Sequence, residues 1–344
     1  MKEYFDSNQN SYETPPIRIV GDASEKIKQK TKEKFQGYFR EKHMESVSKE
    51  KLEAVIALEY EKSRAETELI EAADNELNDI MRKAEAEPFD VPPKNIHLIP
   101  PELYEKINRT QGDAITATQH RAIFINAEKY RNNPLDFGKT IFHELLHLKG
   151  HFAVEVEENS NEKEAEASVY RSGLSVFSSQ KSEDEYRGHK HFDGLEEGLA
   201  GALERRYFQK MINHPILKEQ KEWLESDKAA EIKQKISKDE NIPIEEISNV
   251  KENGDFATFS YPFHGKVLNL LVSEIYEKNK DKFKSEDDVL NVFIKAHFDG
   301  KILPMSRLIT ETFDKDTLRA VSMMSDERDS AAQTLEFLEK KARN

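Results

Sequence analysis

The stretch Ile141-Phe-His-Glu-Leu-Leu-His-Leu148 sets two histidines four positions apart, with a glutamate directly after the first. On an α-helix, residues four apart share a face, so His143 and His147 can turn two imidazoles toward one ion at ~2.0–2.1 Å. Glu144 is rotated from His143 by ~100° and so can reach a water at that ion without being a ligand. Zn2+ lowers the pKa of such a water toward ~7, and a carboxylate in that place can take its proton as the oxygen attacks a carbonyl. The spacing therefore predicts a zinc-dependent hydrolase, with His143 and His147 as metal ligands and Glu144 as general base. The chain has no cysteine, which leaves histidine and carboxylate as the available ligand types. Ile141, Phe142, Leu145, Leu146 and Leu148 surround the polar trio, and a buried helix carries polar groups only where something pairs with them.

The residues alone leave the third ligand open. His151 continues the four-residue ladder, but Gly150 predicts a helix end just before it. Downstream, Phe192-Asp-Gly-Leu-Glu-Glu-Gly-Leu-Ala-Gly-Ala-Leu203 offers Asp193, Glu196 and Glu197, with Glu204 following. The first motif resembles the start of the metzincin signature, yet Ala153 stands where that signature has its last histidine. Leu195-Glu-Glu-Gly-Leu-Ala200 is similar to the second-helix segment of the gluzincins, zinc metallopeptidases of the zincin superfamily, with Glu196 in place of an asparagine. Together with Tyr170-Arg-Ser-Gly-Leu-Ser-Val176, it also resembles a group of bacterial metallopeptidase sequences over about residues 95–210. This resemblance implies Glu197 as third ligand, and a peptide or protein as substrate. It further implies an edge strand at Arg121–Asn126 to receive the substrate backbone, and Tyr261 or His264 as oxyanion donor, Tyr261 being preferred. His189 and His191, next to Gly188 and Gly194, are candidates for the cleft wall. Two other functions stay open: a zinc amidohydrolase acting on a non-peptide substrate, and a helical binding protein with a vestigial zinc site.

Positioning these groups requires a rigid helix entered from a strand. Asn133-Pro134 supplies an N-cap and a first-turn proline, which predicts a helix from there through Lys149. Asn95–Ile99 and Arg121–Asn126 read as short strands, and Leu195–Phe208 as a second amphipathic helix whose Gly198 and Gly201 predict close packing on the first. Between them, Glu155 to Glu166 reads as an acidic, exposed connection. Upstream, Ile70, Ala73, Leu77, Ile80 and Ala84 mark one buried helical stripe, and beyond Pro215 helices are interrupted by a strand at Phe256–Tyr261 and turns at Asn253-Gly254 and Asp299-Gly300. The expected fold is α+β and predominantly helical, with a small sheet; the resemblance makes its core zincin-like. Its expected organisation is a flexible tail (1–24), an N-terminal helical segment (25–90), the core (91–215) and a C-terminal helical domain (216–344).

The net charge of −14 argues against binding nucleic acid, because phosphate neutralisation needs a basic surface. No apolar run approaches the ~18 residues of a membrane span, and the N-terminus has no apolar leader core, so a cytoplasmic protein is expected. Oligomeric state is not legible in the sequence.

Overall fold

The computed structural model describes residues 15–40, 55, 57–107, 112–157, 166–181 and 186–343. Strand β1 (Ile17–Val20) and helix α1 (Glu25–Arg40) precede α2 (Arg64–Lys83), which Ser63 and Glu66 start with a reciprocal capping box. Strand β2 (Ile96–Ile99), helix α3 (Pro101–Ile107) and strands β3 (Ala114–Ala117) and β4 (Ala122–Asn126) lead into α4 (Pro134–Lys149). Four strands follow, β5 (Phe152–Glu157), β6 (Glu166–Ser172), β7 (Ser175–Lys181) and β8 (Tyr186–His191), and then α5 (Asp193–Met211). Helices α6 (Lys218–Leu224) and α7 (Asp227–Asp239) are joined through β9 (Ile247–Val250) and β10 (Phe256–Thr258) to α8 (Pro262–Lys278). The chain closes with α9 (Glu286–Asp299), α10 (Ile302–Thr312), α11 (Lys315–Met323) and α12 (Arg328–Ala342). The fold is α+β and mostly helical, and among the described residues no helix is long and apolar enough to cross a membrane.

Helix α4 begins and ends where its sequence dictates. Asn133 caps it through Asp136 N, Pro134 fills its first turn, and Gly150 takes over at the C-terminus. Its apolar residues Leu135, Phe137, Ile141, Phe142, Leu145, Leu146 and Leu148 are all 0% exposed, so the helix is enclosed on every side. The same apolar cluster contains Leu69, Ala73 and Leu77 of α2, Leu195, Leu199 and Leu203 of α5, Val267 and Leu271 of α8, and Phe293 of α9. The stretches 25–90 and 216–344 thus share one core with 91–215, and the boundaries expected near 90 and 215 do not separate independent cores.

Two of the three sheets among the described residues flank this core, the third being the β9–β10 pair. In one, the order is β2-β4-β3, with β2 parallel and β3 antiparallel to β4. The strand expected to offer a free edge, Arg121–Asn126, is instead the middle strand, and β3, which sequence periodicity did not reveal, is the edge. Arg121 itself is a left-handed turn residue (φ 52°); its buried guanidinium donates to Leu148 O at the end of α4 and lies over Phe39 and Phe152. The other sheet runs β1-β5-β6-β7-β8. Ile17–Val20 of the expected flexible tail pairs in parallel with β5, because Ile17 has an apolar seat among Phe35, Phe152 and Val154. The expected exposed connection is a hairpin over its described residues: Glu155 belongs to β5 and pairs with Ser168, and Glu166 opens β6. The interval 158–165 lies outside the described residues.

A buried ion pair ties α2 to the end of α4. Lys149 Nζ lies 2.8 Å from Asp74 Oδ1 and donates to Asn78 Oδ1 (2.7 Å) and Phe89 O (2.5 Å), with its side chain fully buried. Burial lowers the Lys149 pKa and raises that of Asp74, each partly offset by the other. Lys149→Met is expected to cost about 3–5 kcal/mol, because Asp74 is left as an uncompensated buried charge, whereas Lys149→Met with Asp74→Leu recovers most of it. Urea unfolding of the three proteins checks this; equal losses in the single and double variants would refute it.

Candidate metal centre

Helices α4 and α5 cross so that His143 and His147 face Glu197. His143 Nε2 and His147 Nε2 are 3.2 Å apart, and Glu197 Oε2 lies 3.3 Å from the first and 3.4 Å from the second. Two ligands held ~2.0–2.2 Å from one ion at a tetrahedral angle are separated by roughly 3.3–3.5 Å, so the triangle has the size of one tetrahedral face. Glu197 Oε2 is buried and makes no hydrogen bond among the described residues, as expected for an oxygen reserved for a cation. The donor set, its spacing and the orphaned oxygen fit Zn2+.

Each imidazole is oriented from its far side. His143 Nδ1 is 3.0 Å from Glu204 Oε2, and His147 Nδ1 is 3.1 Å from Glu196 Oε1, so both Nδ1 atoms can donate to carboxylates and leave Nε2 lone pairs facing the shared point. Ser260 N donates to the second oxygen of Glu204. Leu174 N, in the β6–β7 turn, donates to Glu196 Oε2, which also lies 3.0 Å from His297 Nδ1 of α9. Glu196 and Glu204 thus orient the two histidines from behind, and Glu197 alone of the acids on α5 joins them in a group that could hold a metal ion.

The electrostatics point the same way. Burial opposes a charged His143, but the neighbouring carboxylates of Glu197 and Glu204 outweigh it and lift the ring to about 9; His147 is raised well above its usual value against the same penalty, by Glu197 and Glu196. Burial likewise opposes a charged Glu197, yet the two histidines bring it down to about 2. A pocket that draws protons this strongly also attracts a dication, which would take their place on the two Nε2 atoms.

Glu144 is nearly buried, and Thr116 Oγ1 of β3 sits 2.8 Å from both its Oε2 and its main-chain oxygen. Tyr261 precedes Pro262 in a left-handed conformation (φ 50°), uncommon for an aromatic residue, and its ring stacks on His143 with centroids 5.8 Å apart. Gly198 and Gly201 make that position possible. A Cβ at either would meet the main chain at His264 O or Ser260 O, so these glycines bring α5 against the segment carrying Tyr261, not against α4 as the sequence suggested. On α4 the close approach is at Gly138, against Met211 Sδ and Leu69.

The other candidates lie elsewhere. His151 follows the helix end, with its ring against Gly300. His264 is buried, with Nε2 2.9 Å from Ser325 O, and touches Tyr261 only edge-on. Lys190, rather than His189 or His191, lines the cleft, together with Asp193, Ser175 and Phe177. Sequence reasoning assigned no role to Thr116 or His297. Glu204 had a signal, since it lies seven residues, two helical turns, from Glu197; His297 had none.

Comparison of the chain with family models, with curated proteins and with solved structures gave no match. Glu204→Gln and Glu196→Gln are each expected to weaken zinc binding by about 10–100-fold, as loss of a carboxylate behind a metal-binding histidine does. Competition against a zinc-sensitive dye measures this; unaltered affinity in both variants would exclude the supporting role.

Proposed function

We propose that this chain is a zinc-dependent peptidase of the zincin type, with Zn2+ held by His143, His147 and Glu197. The observation that carries the reading is the triangle of buried donors with 3.2–3.4 Å sides, next to Glu144 on the same helix. When bound, zinc supplies Lewis-acid polarisation of a carbonyl and acidification of water. Glu144 is the group placed to take a proton from water in the cleft and return it to the leaving amine. Thr116 holds that carboxylate by its hydroxyl. Tyr261 lines the same cleft, and burial, then the charge of Glu197, push its pKa up, so the phenol keeps the proton it needs to donate to an oxyanion. Strand β3, paired on one side with β4, lines the cleft with Ala114, Ile115 and Thr116 and offers its other edge to an extended substrate backbone. That edge favours a peptide over a non-peptide amide.

The expected site test is Glu144→Gln, which should retain one zinc per chain while losing at least about 100-fold in peptide hydrolysis. Wild-type protein that takes up no zinc would refute the reading, and a zinc-loaded enzyme silent on a broad peptide library would move it to the amidohydrolase. Asp193, Asp326 and Glu327 add negative charge to the cleft wall, whereas among the described residues Lys190 is the sole lysine or arginine lining it. Peptides carrying Lys or Arg near the scissile bond should therefore be cleaved with higher kcat/KM than their Asp or Glu counterparts, by about tenfold at low salt and less at high salt. Equal rates at low ionic strength would contradict this preference.

A further inference from the structure

A second cleft, of about 750 Å³, lies away from the metal centre between β1 and the following Gly21, strands β5 and β6, and the N-terminal part of α10. Its size is that of a small-molecule site. Arg18, Arg171, Lys301 and Arg307 line it against the single carboxylate of Glu155, in a chain whose net charge is −14. A local excess of positive charge in so acidic a protein is not a consequence of composition.

The four cations are held differently. Arg171 is 5% exposed and is fixed by main-chain acceptors: Nε donates to Gly173 O, Nη2 to Ala296 O and Nη1 to Gly300 O. Lys301 is anchored to Asp299 through both its main-chain N–H and its ammonium group. Arg18 and Arg307 are exposed, and among the described residues neither guanidinium has an acidic or hydrogen-bonding partner. The His151 ring lines the same cleft without a hydrogen bond to any described residue; burial, then Arg171 and Arg18, push it down to about 4, so at neutral pH it is an uncharged group with one donor and one acceptor to offer. Tyr170 and Leu303, 37% and 64% exposed, add an aromatic and an aliphatic surface to the cleft.

We propose that this cleft binds a small organic phosphate, its phosphate group held by Arg18 and Arg307 in the field of Arg171 and Lys301, its organic part resting on Tyr170 and Leu303. Two free guanidinium forks suit the several oxygens of a phosphate, and the converging cations exceed what one carboxylate would require. The inference does not depend on the metal centre or on the peptidase reading.

The test is calorimetric titration of the full chain, first stripped of metal with a chelator, using inorganic phosphate, AMP and adenosine as probes. Phosphate and AMP should bind and adenosine should not, and Arg18→Gln with Arg307→Gln should weaken AMP binding at least about tenfold, as loss of charge-assisted hydrogen bonds does. Both side chains are exposed, so the double variant should keep the wild-type circular dichroism. Absence of phosphate and AMP binding at millimolar concentration, adenosine binding as tightly as AMP, or wild-type affinity in the double variant would each overturn the proposal.

Discussion

The constraint on which the structure depends is the burial of opposite charge inside an apolar helical core. His143, Glu196 and Glu204 are each 6% exposed or less, and α4 around them is sealed by leucine, isoleucine and phenylalanine. An ion left alone in such a place costs several kcal/mol, so every one of these groups must find a partner. Glu204 finds His143 and Ser260 N; Glu196 finds His147, His297 and Leu174 N. Those partners come from α4, α9, the β6–β7 turn and the approach to α8, so satisfying two carboxylates fixes the relative positions of four parts of the chain. Glu197 Oε2 faces the Nε2 atoms of two imidazoles whose Nδ1 atoms already have carboxylate partners, and it makes no hydrogen bond among the described residues.

Two of the five left-handed non-glycine residues among the described ones stand where this network meets the cleft. Phe192 and Tyr261 are both in the left-handed region, and each stands at the position just before a helix that borders the site. Such conformations cost of order 1–3 kcal/mol in residues with a Cβ and persist where surroundings over-determine them. Phe192 N donates to Ser322 O, and Tyr261 stacks on His143 while its neighbours Ser260 and His264 lie against Gly201 and Gly198 of α5. The strain at Phe192 starts α5 abruptly, so that Asp193, Glu196 and Glu197 all fall in its first turns. That at Tyr261 turns a large ring toward His143 of α4.

What was legible in the sequence follows from whether the signal is local. The α4 boundaries rest on Asn133, Pro134 and Gly150, which act within a turn of the helix, and they were readable to the residue. The relation between His143 and His147 is helical periodicity. The supporting carboxylates were half readable: Glu196 and Glu197 are adjacent and Glu204 lies two turns further along α5, but which of them meets the two histidines depends on the crossing of two helices. The five-stranded sheet was not readable, because its strands are polar on one face, are interrupted by charged segments, and include β1, which pairs with a strand more than 130 residues away. Edge strand β3 was missed for a related reason: Ala114-Ile-Thr-Ala117 is short and only half-buried, and its role comes from lying beside β4.

The two clefts share a wall, and its construction bears on whether they communicate. Arg171, beside the basic cleft, donates to Ala296 O and Gly300 O, on either side of His297, and the His297 ring spans from Glu196 Oε2 to Leu146 O of α4. His297 O in turn accepts from His151 N. Adjacency of this kind is no evidence of coupling by itself; coupling requires an element with two discrete arrangements. Here α9 is tied at His297 through both ring nitrogens and its carbonyl, and packed by Phe293 and Phe298, so it acts as a strut rather than a hinge. A ligand in the basic cleft that bound this one arrangement would add to the stability of the fold by mass action while leaving the geometry around His147 unchanged.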